Sequence, residues 1–251
     1  MDKEYLIAGN WKMYKTVDQS REFIHELARS FAPAMGLEVA VFPPFIALAG
    51  LRGQDTKIKI GAQNMFYEEK GAFTGEISPL MLQDLVDYVL IGHSERREIF
   101  KESDTDINKK IRAALQFNLL PILCVGETLQ EHEAGKTMAK IKNQLEKALQ
   151  GVENREMGKI VVAYEPIWAI GTGRNATPAQ AQEVHHFIKG IWQEMAPGQN
   201  LKILYGGSVK PENSLEILAQ DDIFGVLVGG ASLKVEQFSA IIHSCVQLLN
   251  N

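Results

Sequence analysis

The amino-acid sequence predicts one α/β domain over residues 1–251, a closed parallel eight-stranded (β/α)8 barrel with its helices outside. Three observations predict it. Eight short apolar runs rich in β-branched and aromatic residues recur along the chain, segments of helical spacing alternate with them, and no Ser/Gly-rich linker or shift of composition divides the 251 residues. Length alone leaves one or two domains open. Eight strand and helix units without a boundary favour one barrel over an open doubly wound sheet.

The first run is Tyr5-Leu-Ile-Ala-Gly-Asn10, and Val17 to Ala32 follows it with Val17, Phe23, Ile24, Leu27 and Phe31 at helical spacing. The next two runs are Glu38–Pro43 and Lys57–Asn64. A long connection, Phe66 to Ser78, comes after the third; its Ala72-Phe73-Thr74 tip sits between Gly71 and Gly75, and a loop of this length is either functional or an interface element. The remaining runs are Tyr88–His93, Leu120–Gly126, Lys159–Glu165, Leu201–Gly207 and Gly225–Gly230. Several lack a clean alternation of apolar and polar residues, as expected of strands buried on both faces. Ile141, Leu145, Ala148 and Leu149 mark a later helix, and Ser78-Pro79, Thr177-Pro178 and Lys210-Pro211 place proline near a first helical turn.

Composition narrows the partners. With 45% hydrophobic and 23% charged residues the chain has material for a sizeable core. A net charge of −5 and the lack of a concentrated Lys/Arg stripe give no footprint for nucleic acid or an anionic membrane. No apolar run approaches the roughly 20 residues that span a bilayer, and acidic Asp2 and Glu4 stand where a secretory signal would be basic. Cys124 and Cys245 have no short-spaced partner for zinc or a disulfide framework, which fits a reducing cytoplasm.

In a barrel of this kind the site lies at the carboxyl ends of the strands. Here those ends are polar: Asn10 and Lys12 after the first strand, His93 after the fourth, Glu165 after the sixth, and Tyr205-Gly-Gly-Ser208 and Val228-Gly-Gly-Ala-Ser232 after the last two. Taken singly, Asn10 reads as a turn residue, Lys12 as a solvated charge and His93 as structural. Glu165 is different, because a carboxylate closing a buried apolar strand needs a partner or a purpose. Four such residues on one end of separate strands point to a site, and paired Gly-Gly turns on the last two strands point to phosphate held by backbone N–H groups.

Between Glu165 and the helix at Thr177 lies Pro-Ile-Trp-Ala-Ile-Gly-Thr-Gly-Arg-Asn-Ala176. Gly171-x-Gly173-x-x-Ala176 superficially matches a dinucleotide fingerprint, but that motif needs its first glycine directly after the strand, and several residues intervene. An apolar cover with glycine hinges suits the composition better than a static buried loop. His185 and His186 are adjacent on a helix, not at the i, i+4 spacing of a metal pair, and Glu131-His132-Glu133 reads as a solvated helical segment.

The motifs Ala8-Gly-Asn-Trp-Lys-Met-Tyr14, Ile91-Gly-His-Ser-Glu-Arg-Arg97, Ala163-Tyr-Glu-Pro-Ile-Trp-Ala-Ile-Gly-Thr-Gly173, Tyr205-Gly-Gly-Ser-Val209 and Val228-Gly-Gly-Ala-Ser-Leu233 together resemble the triosephosphate isomerase family, in chain order and over essentially the whole length. The resemblance implies interconversion of dihydroxyacetone phosphate and glyceraldehyde 3-phosphate through an enediolate, without metal or organic cofactor. It implies Glu165 as general base, His93 as electrophile, and Lys12 and Asn10 as electrostatic and hydrogen-bonding stabilisers. Glu95 would hold the cation and the neighbouring subunit's loop, and Gly171, Ser208, Gly229 and Gly230 would bind phosphate. A lid over 166–176 and a homodimer formed through the 64–78 loop belong to the same expectation. A neutral histidine whose pKa is lowered by a helix N-terminus is known for this family and is not read from these residues; Ser94-Glu95 after His93 does look like a helix start. The family often has lysine after Gly-Thr-Gly where this chain has Arg174-Asn175-Ala176.

Two other functions fit the same barrel. A Schiff-base phosphosugar aldolase would need a desolvated amine, for which Lys12 is the candidate, and its polar setting argues against one. A non-catalytic phosphate-binding barrel would hold the ligand without proton exchange.

Overall fold

The computed structural model describes residues 3–54, 57–169 and 176–250. Eight parallel strands close into a barrel in sequence order: β1 Tyr5–Asn10, β2 Leu37–Phe42, β3 Ile58–Ala62, β4 Tyr88–Ile91, β5 Leu120–Val125, β6 Val161–Tyr164, β7 Lys202–Tyr205 and β8 Gly225–Val228. Closure comes from β1 against β8, with Leu6 opposite Gly225 and Gly9 opposite Val228. All eight predicted runs are strands. β1 ends at the predicted Asn10, while the others stop short of the predicted ends, where proline, polar or glycine residues leave the ladder and turn into the loops.

The lack of alternation has a direct cause. One set of strand side chains, including Leu6, Ala8, Ala40, Phe42, Leu90, Ile122, Cys124 and Leu204, fills the inside of the barrel. The other set, including Ile7, Val39, Val41, Val89, Leu123, Val162, Ile203 and Val226, packs outward under the helices. Both faces are dry, so both are apolar.

Among the described residues eleven helices surround the strands: α1 Val17–Ser30, α2 Phe45–Leu51, α3 Pro79–Leu82, α4 Ser94–Glu98, α5 Asp104–Gln116, α6 Leu129–Glu133, α7 Thr137–Ala148, α8 Asn154–Met157, α9 Pro178–Met195, α10 Pro211–Leu218 and α11 Val235–Leu249. Capping boxes start α1 at Thr16 with Gln19, α5 at Ser103 with Asp106, α6 at Thr128 with Glu131 and α9 at Thr177 with Gln180. α1 stops before the predicted Ala32. Phe31 is extended (φ −143°, ψ 155°), and Pro33 disfavours helical backbone at Ala32. No helix among the described residues is long and apolar enough to cross a membrane.

Candidate active site

Each strand end delivers its polar residue for a local reason. Asn10 is the last residue of β1, and its Oδ1 accepts the Lys12 N–H at 2.9 Å, folding the next two residues back over the barrel mouth. Lys12 then takes a left-handed backbone, φ 51°. Gln63, just past β3, holds that turn by donating to the Lys12 and Phe42 carbonyls at 2.7 and 2.8 Å. His93 is the N-cap of α4, and its Nδ1 accepts the Glu95 N–H at 3.2 Å. Glu165 follows β6 directly, its own N–H bonded to the Val125 carbonyl at 2.7 Å.

Glycines make room for Glu165. A Cβ on Gly126 would lie 1.8 Å from the Glu165 carbonyl oxygen, and one on Gly206 would lie 2.9 Å from Glu165 Cγ. The ends of β5 and β7 therefore close on Glu165 more tightly than any other residue type permits.

Glu165 is 2% exposed. Its Oε1 lies 3.0 Å from His93 Nε2, and its Oε2 accepts the Ser94 N–H at 2.9 Å. Burial alone would push its pKa up. The charge and hydrogen bond of His93, the Ser94 N–H and the Lys12 charge outweigh burial and hold it below the ordinary 4.5, so the buried carboxylate is ionised.

His93 is pulled both ways. Burial opposes its cation, but the Glu165 carboxylate at Nε2, helped by Glu95, turns the net shift upward from 6.5. That direction corrects the expected lowering while Glu165 sits on the ring. The amide at Nδ1 acts in the expected sense, because only a nitrogen with a free lone pair accepts an N–H; the geometry is that of a ring donating from Nε2. Without the carboxylate, burial and the α4 amide both favour the neutral ring.

Lys12 Nζ pairs with Glu95 Oε1 at 2.6 Å. A cavity of about 910 Å3 opens above these groups, lined by Asn10, Lys12, His93, Glu165, Ser208, Gly229 and Gly230. Seven of the predicted site residues thus meet around one space. Glu95 stands behind Lys12 and does not line it. Gly171 and most of the expected lid, 170–175, lie outside the described residues. Of that segment's remainder, Ile167–Ala169 forms a 3-10 turn and Ala176 is buried.

Sequence reasoning missed or misjudged further contributors. Glu127, two residues past β5, is fully buried; its Oε1 accepts from Tyr164 Oη at 3.0 Å and Trp168 Nε1 at 2.8 Å. The signal that marked Glu165, a carboxylate closing an apolar strand, was equally present there. His132, read as solvated, instead stacks on Trp168 with ring centroids 4.3 Å apart. Behind α4, Arg96 bonds Glu102 at 2.8 Å, and Glu102 pairs with buried Lys110, which donates to Asn64 Oδ1 at 2.9 Å. That network ties the start of the 64–78 loop to the helix His93 caps.

The geometry agrees with what the chain is similar to. The family model described as triosephosphate isomerase matches residues 5–245. Proteins named triosephosphate isomerase from Clostridium tetani and Carboxydothermus hydrogenoformans are each 51% identical, over 247 and 246 residues. These alignments cover 96% of this chain in both cases and 96% and 98% of the relatives. One of the same name from Alkaliphilus metalliredigens is 52% identical over 244 residues, 95% of this chain and 98% of its own. With a family match spanning nearly every strand and helix, and half of all residues shared over almost the full length, this chain belongs to the triosephosphate isomerase family.

Proposed function

We propose that the isomerase reaction of this family, the interconversion of dihydroxyacetone phosphate and glyceraldehyde 3-phosphate, is carried by Glu165, His93, Lys12 and Asn10 in the cavity at the strand ends. The observation that carries this reading is the ionised, buried carboxylate of Glu165 held 3.0 Å from His93 Nε2 at the wall of the cavity that Lys12 also lines. Glu165 swings from His93 and the Ser94 N–H onto the substrate and removes the carbon-bound proton. Its departure frees Nε2 to donate to the substrate oxygens, and the ring is left neutral. Negative charge develops on those oxygens, where Lys12 and Asn10 oppose it. The proton returns to the neighbouring carbon from the same carboxyl group. Positioned acid–base catalysis contributes about 10²–10⁴-fold, so the fixed charges supply much of the remainder.

The phosphate sits against Ser208, Gly229 and Gly230; Gly171, expected to share in the grip, lies outside the described residues. A Cβ on Gly230 would meet nothing within 4 Å, so that backbone faces open space at the cavity it lines. A Schiff-base aldolase is disfavoured because Lys12 Nζ is paired with Glu95 instead of isolated in an apolar pocket. Borohydride trapping with a ketose phosphate checks this; a covalent lysine adduct would contradict isomerisation. The deciding experiment is a coupled isomerase assay on the wild type and Glu165→Gln. Proton exchange from dihydroxyacetone phosphate into deuterated water by the wild type excludes a barrel that only binds.

Glu95 positions Lys12 and meets the tip of a second subunit's 64–78 loop, and the chain works as a homodimer. Support comes from the surface. Apart from Met35 and Leu129, the large exposed hydrophobics among the described residues all follow β1 to β4: Met13, Tyr14, Ile46, Phe73, Leu80, Met81, Ile99 and Phe100. Four adjacent strands thus share one apolar rim. The loop tip is pre-shaped, with Phe66 against Tyr67 and Phe73 at 4.2 and 4.6 Å. Sedimentation of Phe73→Asp is expected to show monomers with reduced activity. Two free, buried cysteines accord with a cytoplasmic location.

A further inference from the structure

The loop after β1 holds two lysines in left-handed backbone, Lys12 at φ 51° and Lys15 at φ 73°. Such backbone is unfavourable for a residue with a Cβ and persists where surrounding contacts impose it. For Lys15 those contacts are visible. Its Nζ donates to the Leu233 carbonyl at 3.0 Å, 4.4 Å from the Phe23 ring centroid and 5.4 Å from that of Trp11. Leu233 ends the 3-10 turn Gly230–Leu233 that follows β8.

Other contacts join the same two segments nearer the barrel axis. Ser232 Oγ donates to the Gly229 carbonyl at 2.7 Å and lies 3.5 Å from the Asn10 carbonyl, which can share that proton only weakly. A Cβ on Gly229 would sit 3.6 Å from Lys12 Cε. Lys12 is therefore flanked by ties to the β8 turn, through Asn10 on one side and Lys15 on the other.

We propose that Lys15 is a positioning residue of the isomerase: its ammonium, seated on the Leu233 carbonyl, fastens the loop carrying Lys12 to the Gly229–Leu233 turn and makes the two one rigid grip on the substrate's phosphate. This rests on the reading that Gly229 and Gly230 take the phosphate. Neither Lys15 nor Leu233 lines the cavity, so the effect passes through Lys12 and the turn. Burial lowers the Lys15 pKa, consistent with a part-buried ammonium.

The test compares glyceraldehyde 3-phosphate with glyceraldehyde, which keeps the reacting carbons and lacks the phosphate. Lys15→Met preserves the apolar stem and removes the charge-assisted bond. Its kcat/KM for glyceraldehyde 3-phosphate is expected to fall about 10-fold, mainly through KM, and inhibition by inorganic phosphate to weaken by about the same factor. Turnover of glyceraldehyde should change less than about 2-fold. Lys15→Arg should restore most of the loss. Lys15→Gly relieves the left-handed backbone, keeps the fold accessible and should show the same phosphate-dependent defect. Parallel losses on both substrates, or wild-type behaviour of Lys15→Gly, overturn the proposal. Gly230→Glu tests the foundation separately: if it leaves phosphate inhibition intact, the phosphate reading fails and the role of Lys15 falls with it.

Discussion

Two neighbouring strands, β5 and β6, end in buried carboxylates, Glu127 and Glu165, that do opposite work. Both are closed from solvent, at 0% and 2% exposure, and both cost solvation to place there. Glu127 is boxed in by Tyr164 and Trp168, its Oε2 has no partner among the described residues, and it does not line the cavity. Glu165 has a titratable ring on one oxygen, a backbone N–H on the other, and the cavity in front. Burial at a strand end is thus no mark of a catalyst by itself. The proposed base is the carboxylate with an exchangeable partner and room to leave it; the other is a strut beneath the first residues of the expected lid.

The strongest way to break that division is to neutralise each in turn. Glu165→Gln keeps the shape and removes the base, with an expected fall in kcat of about 10²–10⁴-fold; its buried NH2 must face the His93 Nε2–H or the Ser94 N–H, so Tm also falls, by about 2–12 °C. Steady-state kinetics and a melting curve on one preparation suffice. A variant that keeps wild-type turnover returns Glu165 to the class of Glu127.

Gly126 stands between the two carboxylates, and its replacement sharpens the comparison from the side of position. Gly126→Ala must displace the Glu165 backbone, since the new Cβ would otherwise lie 1.8 Å from its carbonyl oxygen. A misplacement near 1 Å costs on the order of 10²-fold, so kcat should drop by about that factor while the Glu127 contacts survive. Unchanged kcat would show that the base tolerates being moved.

Glu127→Gln should act in the other currency. Both donors meet Oε1, which the amide retains, but a buried NH2 replaces Oε2 where no acceptor stands. An unpaired buried polar group costs about 1–3 kcal/mol, a Tm lower by about 2–12 °C at this chain length. Turnover should fall less than about 10-fold, because no group at the reacting carbon is lost. A larger kinetic than thermal effect would make Glu127 part of the chemistry.

The same contrast explains what was legible in the sequence. The barrel was, because two-sided burial writes apolar runs such as Ile160–Tyr164 into consecutive residues. Asn10, Lys12, His93 and Glu165 were, because the end of a strand is also a place in the sequence. The contacts that give these residues their states were not. Lys15 meets Leu233 across 218 positions, Glu127 meets Trp168 across 41, and Gln63 fixes Lys12 across 51, with no local pattern to announce any of them. The upward pull on His93 likewise arises from Glu165, brought to it only by closure of the barrel.

The smallest expected effect lies behind β6 and extends the comparison to a buried base with no room to act. His185 and His186, adjacent in α9, share Asp222 but not an environment. His186 is exposed and its Nδ1 meets the Asp222 carboxylate at 2.9 Å, whereas His185 is buried with Nδ1 3.2 Å from the Asp222 carbonyl. The Nε2 of His185 has no partner among the described residues, and the ring lies near Tyr164 and Tyr205 at centroid distances of 6.0 and 6.4 Å. A second proton would be a buried charge without an acceptor, and burial accordingly pushes the pKa down to about 4. The unfolded ring takes up its proton near 6.5, the folded ring only near 4, so folding stability drains away as pH falls between those values. The span amounts to about 3 kcal/mol. His93 adds no slope over this range, since its raised pKa gives stability already fully present below 6.5 and lost only as pH rises above it, and Asp222, held below 3.8, acts only in stronger acid. His185→Gln keeps a donor for the Asp222 carbonyl and cannot titrate. Its Tm should therefore decline less than that of the wild type between pH 6.5 and 4.5, while kcat at neutral pH stays within about 2-fold, since the ring is remote from the reacting groups. Equal acid slopes in the two proteins would place the acid sensitivity elsewhere and leave His185 a packing residue alone.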